Sequence, residues 1–430
     1  MVIKDILGVI YAPHKAFKKI ADNPKYLAVA IIILLFMSLQ AVYYYSYYSK
    51  INYEQTLPPA GQLNSFTTTN ATQWVTTHGV TVAKNSQDFI NQTFYGNNSL
   101  QFTGYVSSLS IALEQFGYTA DCGLDGFTSL NMNIKQVSPN GAPQSGIVTL
   151  YTANGTSNYF ALDITLMLKN NLGSWNNLTI PVGTSEWQVT GSPDWTEITG
   201  LKLSVTYQTT SELDILLQGV FFRGQYLTQI NALGSGTFLG IAVYSIFMQV
   251  AFQWIILAVV SYVLLKILKA NNVVWKTLIV AIGYTLIAVV IISVLLILSS
   301  FTLPAINCPY DLPYSSMAYP DAIINSASPM SQIAYEAITA ATITFARLTT
   351  SINVFMYILQ IIFVTFAVKA VSGSAYIKSI VQTVSDDTTT TETVNANITE
   401  LSYIKCIIIA VITVISTMLL LAILSGFGVF

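Results

Sequence analysis

Charge is scarce in this chain. Only 9% of its 430 residues are charged and 53% are hydrophobic, whereas about a quarter of the residues of a soluble domain are charged. The formal net charge is −2. Nucleic-acid binding normally needs a basic patch or stripe, and this balance gives no indication of one.

Cysteine and histidine are also rare. Three cysteines are too few for a disulfide framework or a multi-cysteine zinc site, and the two histidines, His14 and His78, exclude most histidine-based metal clusters. The sequence contains no P-loop, GxSxG, HExxH or CxxC motif. Asp121 and Asp125 offer carboxylates, but the calcium-loop pattern is not met, so we expect a polar turn there. We therefore predict no enzyme activity, no metal site and no cofactor.

Long stretches without charged residues account for this scarcity of charge. Phe238–Leu265 and Thr277–Phe301 contain no charged residue, and about 20 apolar residues are enough to cross a bilayer as a helix. The turn between them holds Lys266, Lys269 and Lys276 and no acid. Because orientation follows the Lys/Arg bias of short loops, this turn is predicted to face the cytoplasm.

The same pattern predicts an α-helical bundle of five transmembrane helices together with an all-β extracellular domain. We place the spans at 27–48, 236–266, 277–301, 349–370 and 403–430. The other segments are a cytoplasmic N-terminal segment (1–26), an extracellular domain (49–235), an outer loop with an interfacial helix (302–348) and a cytoplasmic loop (371–402). Lysines concentrate on the predicted inner side, which places the N-terminus in the cytoplasm and the protein in the plasma membrane.

The N-terminal segment is basic and amphipathic. Pro13 is predicted to start a second short helix, where its missing N–H costs nothing. Phe17 and Ile20 form its apolar side, and lysines form the other. The segment is either a retained interfacial helix or a plain positive-inside flank. Both place it on the cytoplasmic side.

Residues 49–235 are rich in Ser, Thr, Asn and Gly, with short alternating runs separated by turn signals. Many short strands at even spacing predict a β-sandwich or jelly roll at about 99–224. Residues 49–98 are predicted to be less ordered or to form a small cover. Asn-x-Ser/Thr sequons lie in this outer part, which predicts glycosylation of Asn70, Asn91, Asn97, Asn154 and Asn177. Asn397 also fits the sequon, but we place it inside and expect it bare.

The two outer cysteines allow a disulfide. We expect Cys122 and Cys308 to bridge the sandwich to the second outer loop, with two separate buried thiols as the alternative. In the membrane part, Gly236 and Gly240 form a small-xxx-small pair that would let helices approach closely, although a loop-to-helix transition explains Gly236 equally well. None of the predicted spans has an acidic residue in its middle, which disfavours an ion-coupled transporter.

The membrane part resembles the Yip family of five-span proteins. Three stretches carry the likeness: the opening 10–26 with Pro13 and Asn23-Pro24, the segment 274–284 that enters the third span, and the polar break at 373–378. The resemblance covers about half of the chain. The resemblance implies a membrane adaptor, with Rab-type GTPases as partners of the eukaryotic members. The large domain inserted after the first span departs from that family.

The inserted domain resembles the second half of a galactose-binding-like or carbohydrate-binding jelly roll, on the stretches 175–203 and 213–222. The resemblance implies that Trp175, Trp187 and Trp195 stack on sugar faces. The alternative is that they fill the sandwich core or its rim, since Trp is highly buried on average.

Two functions follow. The first is a non-enzymatic membrane anchor or adaptor that displays a β-sandwich to glycans, an envelope layer or a partner protein. The second is a transporter or channel subunit with an extracellular cap. A polar cavity among the spans would favour the second. The partners expected are the lipid bilayer and an envelope glycan or protein, without nucleic acid, and the composition and sequons suit an archaeal plasma membrane.

Overall fold

The computed structural model describes residues 2–68, 71–91, 95–153, 155–169, 172–270, 273–312, 329–386 and 401–426, without the side chains of 68, 71, 329–332 and 374–386. The chain divides into two compact units. The helical unit comprises Met1–Ile51, Thr228–Ile306 and Ala337–Phe430. The sandwich unit comprises Asn52–Leu227 and Asn307–Glu336.

Long helices dominate the helical unit. In chain order the α-helices of the described residues are α1 (Val2–Tyr11), α2 (Pro13–Asp22), α3 (Tyr26–Tyr48), α4 (Ser65–Thr68), α5 (Thr165–Lys169), α6 (Gln229–Leu233), α7 (Ser235–Ile267), α8 (Trp275–Thr285), α9 (Ile287–Ser300), α10 (Pro329–Asp386) and α11 (Tyr403–Gly426). Two of these, α4 and α5, are short helices in the sandwich unit.

Five helices in the described part of the chain are long and apolar enough to cross a membrane. They are Tyr26–Tyr48, Ser235–Ile267, Trp275–Ser300, Ile333–Gly373 and Tyr403–Gly426. The third consists of α8 and α9 end to end, with Leu286 between them. It is the most buried of the five, so the other helices pack around it.

The N-terminal helices pack on this bundle. Pro13 occupies the first turn of α2, as its fixed φ favours. Phe17 and Ile20 are buried in the bundle core while Lys15 and Lys18 are exposed, so the predicted apolar and wet sides of α2 are present. Asp5 of α1 accepts hydrogen bonds from Lys19 and Lys25, both at 2.7 Å, which ties the segment together.

Residues 329–386 differ from the prediction. We expected an interfacial helix to residue 348, a span at 349–370 and a loop from 371, but α10 continues through all three. The reason lies in the chain itself: after Pro329 this helix contains no proline and only Gly373 as a weak breaker. Polar composition alone does not end a helix. The rest of the predicted loop, 387–400, lies outside the described residues.

Strands build the sandwich unit. They are β1 (Ile51–Leu57), β2 (Val75–Thr76), β3 (Val80–Asn85), β4 (Ser99–Leu113), β5 (Ser129–Ser138), β6 (Ser145–Thr152), β7 (Gly155–Asp163), β8 (Asn176–Pro181), β9 (Gln188–Thr190), β10 (Ile198–Thr228) and β11 (Ile306–Cys308). All pairings with a described register are antiparallel.

Two long strands create both layers. The first half of β10 (198–206) pairs with β4 and β6, and its second half (214–223) pairs with β4 and β5. The register slips between Thr206 and Ser211, where four residues of β10 have no partner in β4. Such a bulge bends a strand and increases its twist. The first half-sheet therefore holds β6, β7 and β9, and the second holds β5, β8 and β3.

One hydrophobic core lies between the half-sheets. Leu203 and Val205 of the first half of β10 and Leu213, Ile215 and Leu217 of the second half belong to the same buried cluster. From Leu201 to Tyr207, buried and half-buried residues alternate with the two-residue period of a strand, whereas residues 215–222 are buried on both faces. At about 25 cal/mol per Å² of apolar surface, burial of this kind is the main stabilising term of the sandwich.

The sandwich extends beyond the predicted 99–224. Residues 49–98, expected to be less ordered or to form a small cover, supply β1, β2 and β3. Strand β3 pairs with β4 from Val80–Gly104 to Asn85–Ser99, and β1 pairs with β10 and with β11. Strands β2 and β3 are short and depend on pairing with the long strand β4. The sequence did not reveal them because a local pattern does not show this pairing.

Candidate functional site

Trp187 is a core residue. It is only 4% exposed, belongs to the sandwich core, and its Nε1 donates to the Pro181 carbonyl at 2.8 Å. A ring with this little free surface cannot present a face to a sugar. The burial of Trp187 favours the alternative that it is a core tryptophan.

Trp195 sits between core and surface. One face stacks on Phe160 of β7, with ring centroids 3.7 Å apart and planes 10° from parallel. The ring meets Trp187 edge-on at 5.5 Å. Trp195 is nevertheless half-buried rather than buried, so part of its surface stays available. The structure thus brings Trp187 and Trp195 together as an aromatic group on the first half-sheet.

The residue before Trp195 in the sequence carries a carboxylate. Asp194 is exposed and its Oδ1 accepts a hydrogen bond from the Thr196 amide at 2.9 Å. The backbone amide and the hydroxyl of Thr196 hold the pKa of Asp194 below its ordinary value. Asp194 is therefore ionised at neutral pH and can accept hydrogen bonds beside Trp195.

Trp175 lies elsewhere, on the side of the second half-sheet. It is half-buried, and its Nε1 donates to Oδ1 of Asp88 at 3.0 Å. The other carboxylate oxygen of Asp88 accepts from Lys135 of β5 at 2.7 Å. Trp175 is thus anchored by a polar cluster, separate from the Phe160–Trp187–Trp195 group.

The outer face of the second half-sheet is rich in carboxamides. Asn131 and Asn133 of β5 and Gln218 of β10 are fully or almost fully buried, although they point away from the core. Gln218 is satisfied by the segment that covers it, since its Oε1 accepts from the Ile90 amide at 2.6 Å and its Nε2 donates to the Tyr95 carbonyl at 3.1 Å. We did not predict this face from the sequence. The signal was the alternation of Asn with apolar residues in Asn131-Met132-Asn133.

Three sequon asparagines are described, and all are exposed. Asn91 and Asn97 lie in the segment that covers the second half-sheet, and Asn177 lies in β8 opposite Asn133. Asn70, Asn154 and Asn397 lie outside the described residues. The accessible sequons therefore gather on the second half-sheet and its cover.

The predicted disulfide is not present. Cys122 and Cys308 are free, buried thiols. Cys122 is part of the sandwich core and its amide donates to the Trp195 carbonyl, whereas Cys308 ends the short edge strand β11. Burial raises the pKa of both thiols, that of Cys308 to about 11, so neither is a reactive thiolate near neutral pH.

Asp121 forms the expected polar turn. Its Oδ1 accepts from the Gly123 amide at 2.8 Å, and its carbonyl accepts from the Phe127 amide at 2.7 Å. Within the described residues, no group of three or more His, Cys, Asp or Glu side chains is placed to hold a metal ion.

Comparison with solved structures finds carbohydrate-binding-module β-sandwiches. The family 11 module of a cellulosomal cellulase of Clostridium thermocellum is 13% identical, with a TM-score of 0.24 over 35% of this chain and 85% of the module. A family 30 carbohydrate-binding module is 14% identical, with a TM-score of 0.26 over 33% of this chain and 82% of the module. A β-1,2-glucanase from Parabacteroides distasonis is 16% identical, with a TM-score of 0.27 over 35% of this chain and only 22% of the glucanase.

At these scores the likenesses do not assign a function. No family model and no curated protein matches the sequence. What the chain itself displays is a β-sandwich and a helical unit whose described part has five helices long and apolar enough to cross a membrane.

Proposed function

We propose that this protein is a non-enzymatic membrane anchor that displays its β-sandwich outside the cell and contacts a glycan through Trp195. The observation that carries the proposal is the position of that ring: Phe160 supports one face, and the residue is still half-buried rather than buried. Aromatic rings supported in this way offer a rigid apolar surface for stacking. Asp194 beside it supplies an acceptor for hydroxyl groups.

The membrane part of the proposal rests on the helices that flank the sandwich in the chain. Strand β1 follows α3 directly, and α6 and α7 follow β10. Both α3 and α7 are long and apolar enough to cross a membrane. Two such tethers restrict the orientation of a domain more than one flexible linker does. A Yip-type arrangement of the five spans belongs to the same proposal and is supported by the amphipathic α1–α2 pair that opens the chain.

The experiment compares substitutions of the three tryptophans. The full-length protein in lipid nanodiscs is applied to a glycan array, as wild type and as Trp195→Ala, Trp187→Ala and Trp175→Ala. We expect Trp195→Ala to keep the wild-type melting temperature within a few degrees and to lose glycan binding. Trp187→Ala removes a buried ring and is expected to cost about 3–5 kcal/mol of stability. Trp175→Ala is the matched control with a half-buried ring on the other half-sheet.

Two outcomes would overturn the glycan contact. One is a wild-type protein that binds no glycan on the array, and the other is a folded Trp195→Ala variant that binds as well as wild type. In either case, contact with an envelope or partner protein would be the form of display that survives.

A second candidate function is that of a transporter or channel subunit with the sandwich as a cap. One observation favours it: the apolar helices line a cavity of about 490 Å³ that has polar side chains in its wall. Intramembrane polar groups that face a cavity mark ligand pathways.

A further inference from the structure

The cavity lies entirely within the helical unit, among α3, α7, α9, α10 and α11. Its volume of about 490 Å³ is within the range of small-molecule sites, roughly 300–1,000 Å³. Five carboxamide side chains line it together with apolar residues: Gln40, Gln249, Gln253, Asn353 and Gln360. This concentration of amides is unusual for helices selected to lie in lipid.

The amides share faces of their helices. Gln249 and Gln253 are four residues apart on α7, and Asn353 and Gln360 are seven apart on α10, with Tyr357 between them. Residues three, four and seven apart lie on one side of a helix. Each helix therefore turns a polar stripe toward the cavity while most of its remaining surface is apolar.

One of these amides has a donor without a partner among the described residues. Gln360 is 2% exposed, and its Nε2 makes no hydrogen bond within the part of the chain that the structure describes. Gln40, by contrast, accepts from the Ser293 hydroxyl at 3.2 Å. A buried donor left unpaired costs about 1–3 kcal/mol. Gln360 is one of the residues that line the cavity, so a rotation of its side-chain amide would bring this donor to a molecule there.

The lining also defines the charge of that molecule. None of the described residues that line the cavity is Asp, Glu, Lys, Arg or His. A charged ligand would lose its hydration without gaining a counter-charge, which is strongly unfavourable in a membrane interior. Carboxamides both donate and accept, as do the hydroxyls of Ser293, Thr417 and Ser425 that join them. A ligand whose groups also both donate and accept hydrogen bonds would complement this lining.

We propose that the cavity binds an uncharged polyhydroxylated molecule, a polyol or a small saccharide, either free or as the headgroup of a lipid. The ligand accepts a hydrogen bond from Nε2 of Gln360 and fills the space between the amide stripes of α7 and α10. This inference is independent of the glycan contact proposed for Trp195, because the two sites belong to different units of the chain.

The test uses the full-length protein in nanodiscs of neutral phospholipid. The free probes are myo-inositol and trehalose, the lipid-borne probe is digalactosyl diacylglycerol added to the nanodisc, and the charged control is glucuronate. Binding is measured as a saturable rise of the melting temperature and by titration calorimetry. We expect at least one neutral probe to bind and glucuronate not to bind. Binding of a free probe identifies a soluble ligand, and binding of the galactolipid alone identifies a lipid headgroup.

Two variants of α10 distinguish a ligand site from a purely structural amide. Gln360→Leu is expected to weaken binding about tenfold or more, and to leave the ligand-free melting temperature unchanged or higher, because it removes an unpaired donor. A purely structural amide would instead lower that temperature. Thr365→Val is the matched control: Thr365 is a buried polar residue of the same helix, bonded to the Ile361 carbonyl and not in the lining. Trp195→Ala, in the other unit, must leave the response to these probes unchanged.

Where Gln360→Leu fails to fold, Asn353→Leu keeps the test intact, since Asn353 lines the cavity and is exposed. Three results would overturn the proposal. They are no saturable binding of any neutral probe, binding of glucuronate equal to that of the neutral probes, and undiminished binding by both lining variants.

Discussion

The Glu54 carboxylate accepts several hydrogen bonds in the sandwich unit. Its carboxylate accepts from Nε and Nη2 of Arg223 at 2.8 and 3.0 Å, from the Gly224 amide at 3.0 Å and from the Tyr310 amide at 3.2 Å. The Arg223 guanidinium also lies over the Tyr310 ring, 4.8 Å from its centroid. Burial opposes the charge of Arg223, but the bonds to Glu54 outweigh it and raise the pKa of the guanidinium. One carboxylate thus joins β1, the end of β10 and the segment after β11.

Replacing Glu54 by Gln is therefore expected to be severe. It leaves the partly buried Arg223 without its counter-charge, and removal of one partner of a buried pair costs about 3–5 kcal/mol. The expected result is a clear fall in the melting temperature of the purified protein, measured by intrinsic fluorescence. Glu186→Gln is the control, because Glu186 is exposed. Equal melting temperatures for the two variants would contradict the structural importance of Glu54.

At the scale of elements, helix packing depends on a glycine that the sequence did not single out for this purpose. A Cβ at Gly283 of α8 would lie 2.5 Å from Val29 Cγ1 of α3 and 3.1 Å from Trp254 Nε1 of α7. The same Trp254 nitrogen donates to the Ile279 carbonyl at 2.9 Å. Gly236 and Gly240 were expected to allow close approach, but among the described residues no neighbouring atom lies within 4 Å of where their Cβ would stand.

These glycines give a matched pair of substitutions. Gly283→Ala is expected to destabilise the helical unit by about 1–3 kcal/mol, because the methyl group displaces Val29 and strains the contact with α7. Gly240→Ala is expected to be neutral or stabilising by up to about 1 kcal/mol, since it only improves helix propensity. Thermal unfolding in detergent measures both. Similar melting temperatures in the two variants would mean that α3 and α8 do not meet at Gly283. Rescue of Gly283→Ala by Val29→Ala would identify the clash itself.

Membrane orientation is a property of the whole molecule. The lysines around the α7–α8 turn predict that this turn faces the cytoplasm and the sandwich faces outward. Val274 in the turn is 55% exposed and Leu124 in the sandwich is 99% exposed. In intact cells, a membrane-impermeant maleimide should label Leu124→Cys and spare Val274→Cys, and both should react after permeabilisation.

The native protein supplies the background control for that experiment. All three of its thiols, Cys122, Cys308 and Cys406, are buried. The raised pKa of Cys308, about 11, keeps it protonated at the labelling pH. Wild-type protein should therefore label slowly until it is unfolded. Strong labelling of Val274→Cys in intact cells would reverse the proposed orientation.

Glycosylation provides a second check on sidedness. We expect sugar on Asn91, Asn97 and Asn177, which are exposed, and on Asn154, with Asn70 as a further site and Asn397 bare. Glycopeptide mass spectrometry of protein from the native host measures each site. Sugar on Asn397 would place the segment before α11 outside. Sugar on Asn177 would also cover the second half-sheet, which is one reason to expect glycan recognition on the Trp195 side.

The sequence by itself determined that five stretches are long and apolar enough to cross a membrane. In lipid the backbone N–H and C=O groups must form hydrogen bonds within the helix, and the side chains must be apolar. The composition over about 20 residues therefore decides whether a stretch can span the membrane. The alternating runs also predicted a β-sandwich, because alternation is local, but they did not predict that Ile198–Thr228 forms one long strand. Tertiary structure decided the rest. Which tryptophan is buried, where β10 bends, and that Gly283 rather than Gly240 is the close contact all depend on which faces meet.

The polar cavity shows the same division. The amides of α3, α7 and α10 stand in the sequence at helical spacing, but only packing brings Gln40, Gln253 and Gln360 around one volume. A side chain on one helix face is equally compatible with lipid, with a neighbouring helix and with a cavity. The choice among these is set by the positions of the other helices, which are fixed by long-range contacts and not by the local pattern.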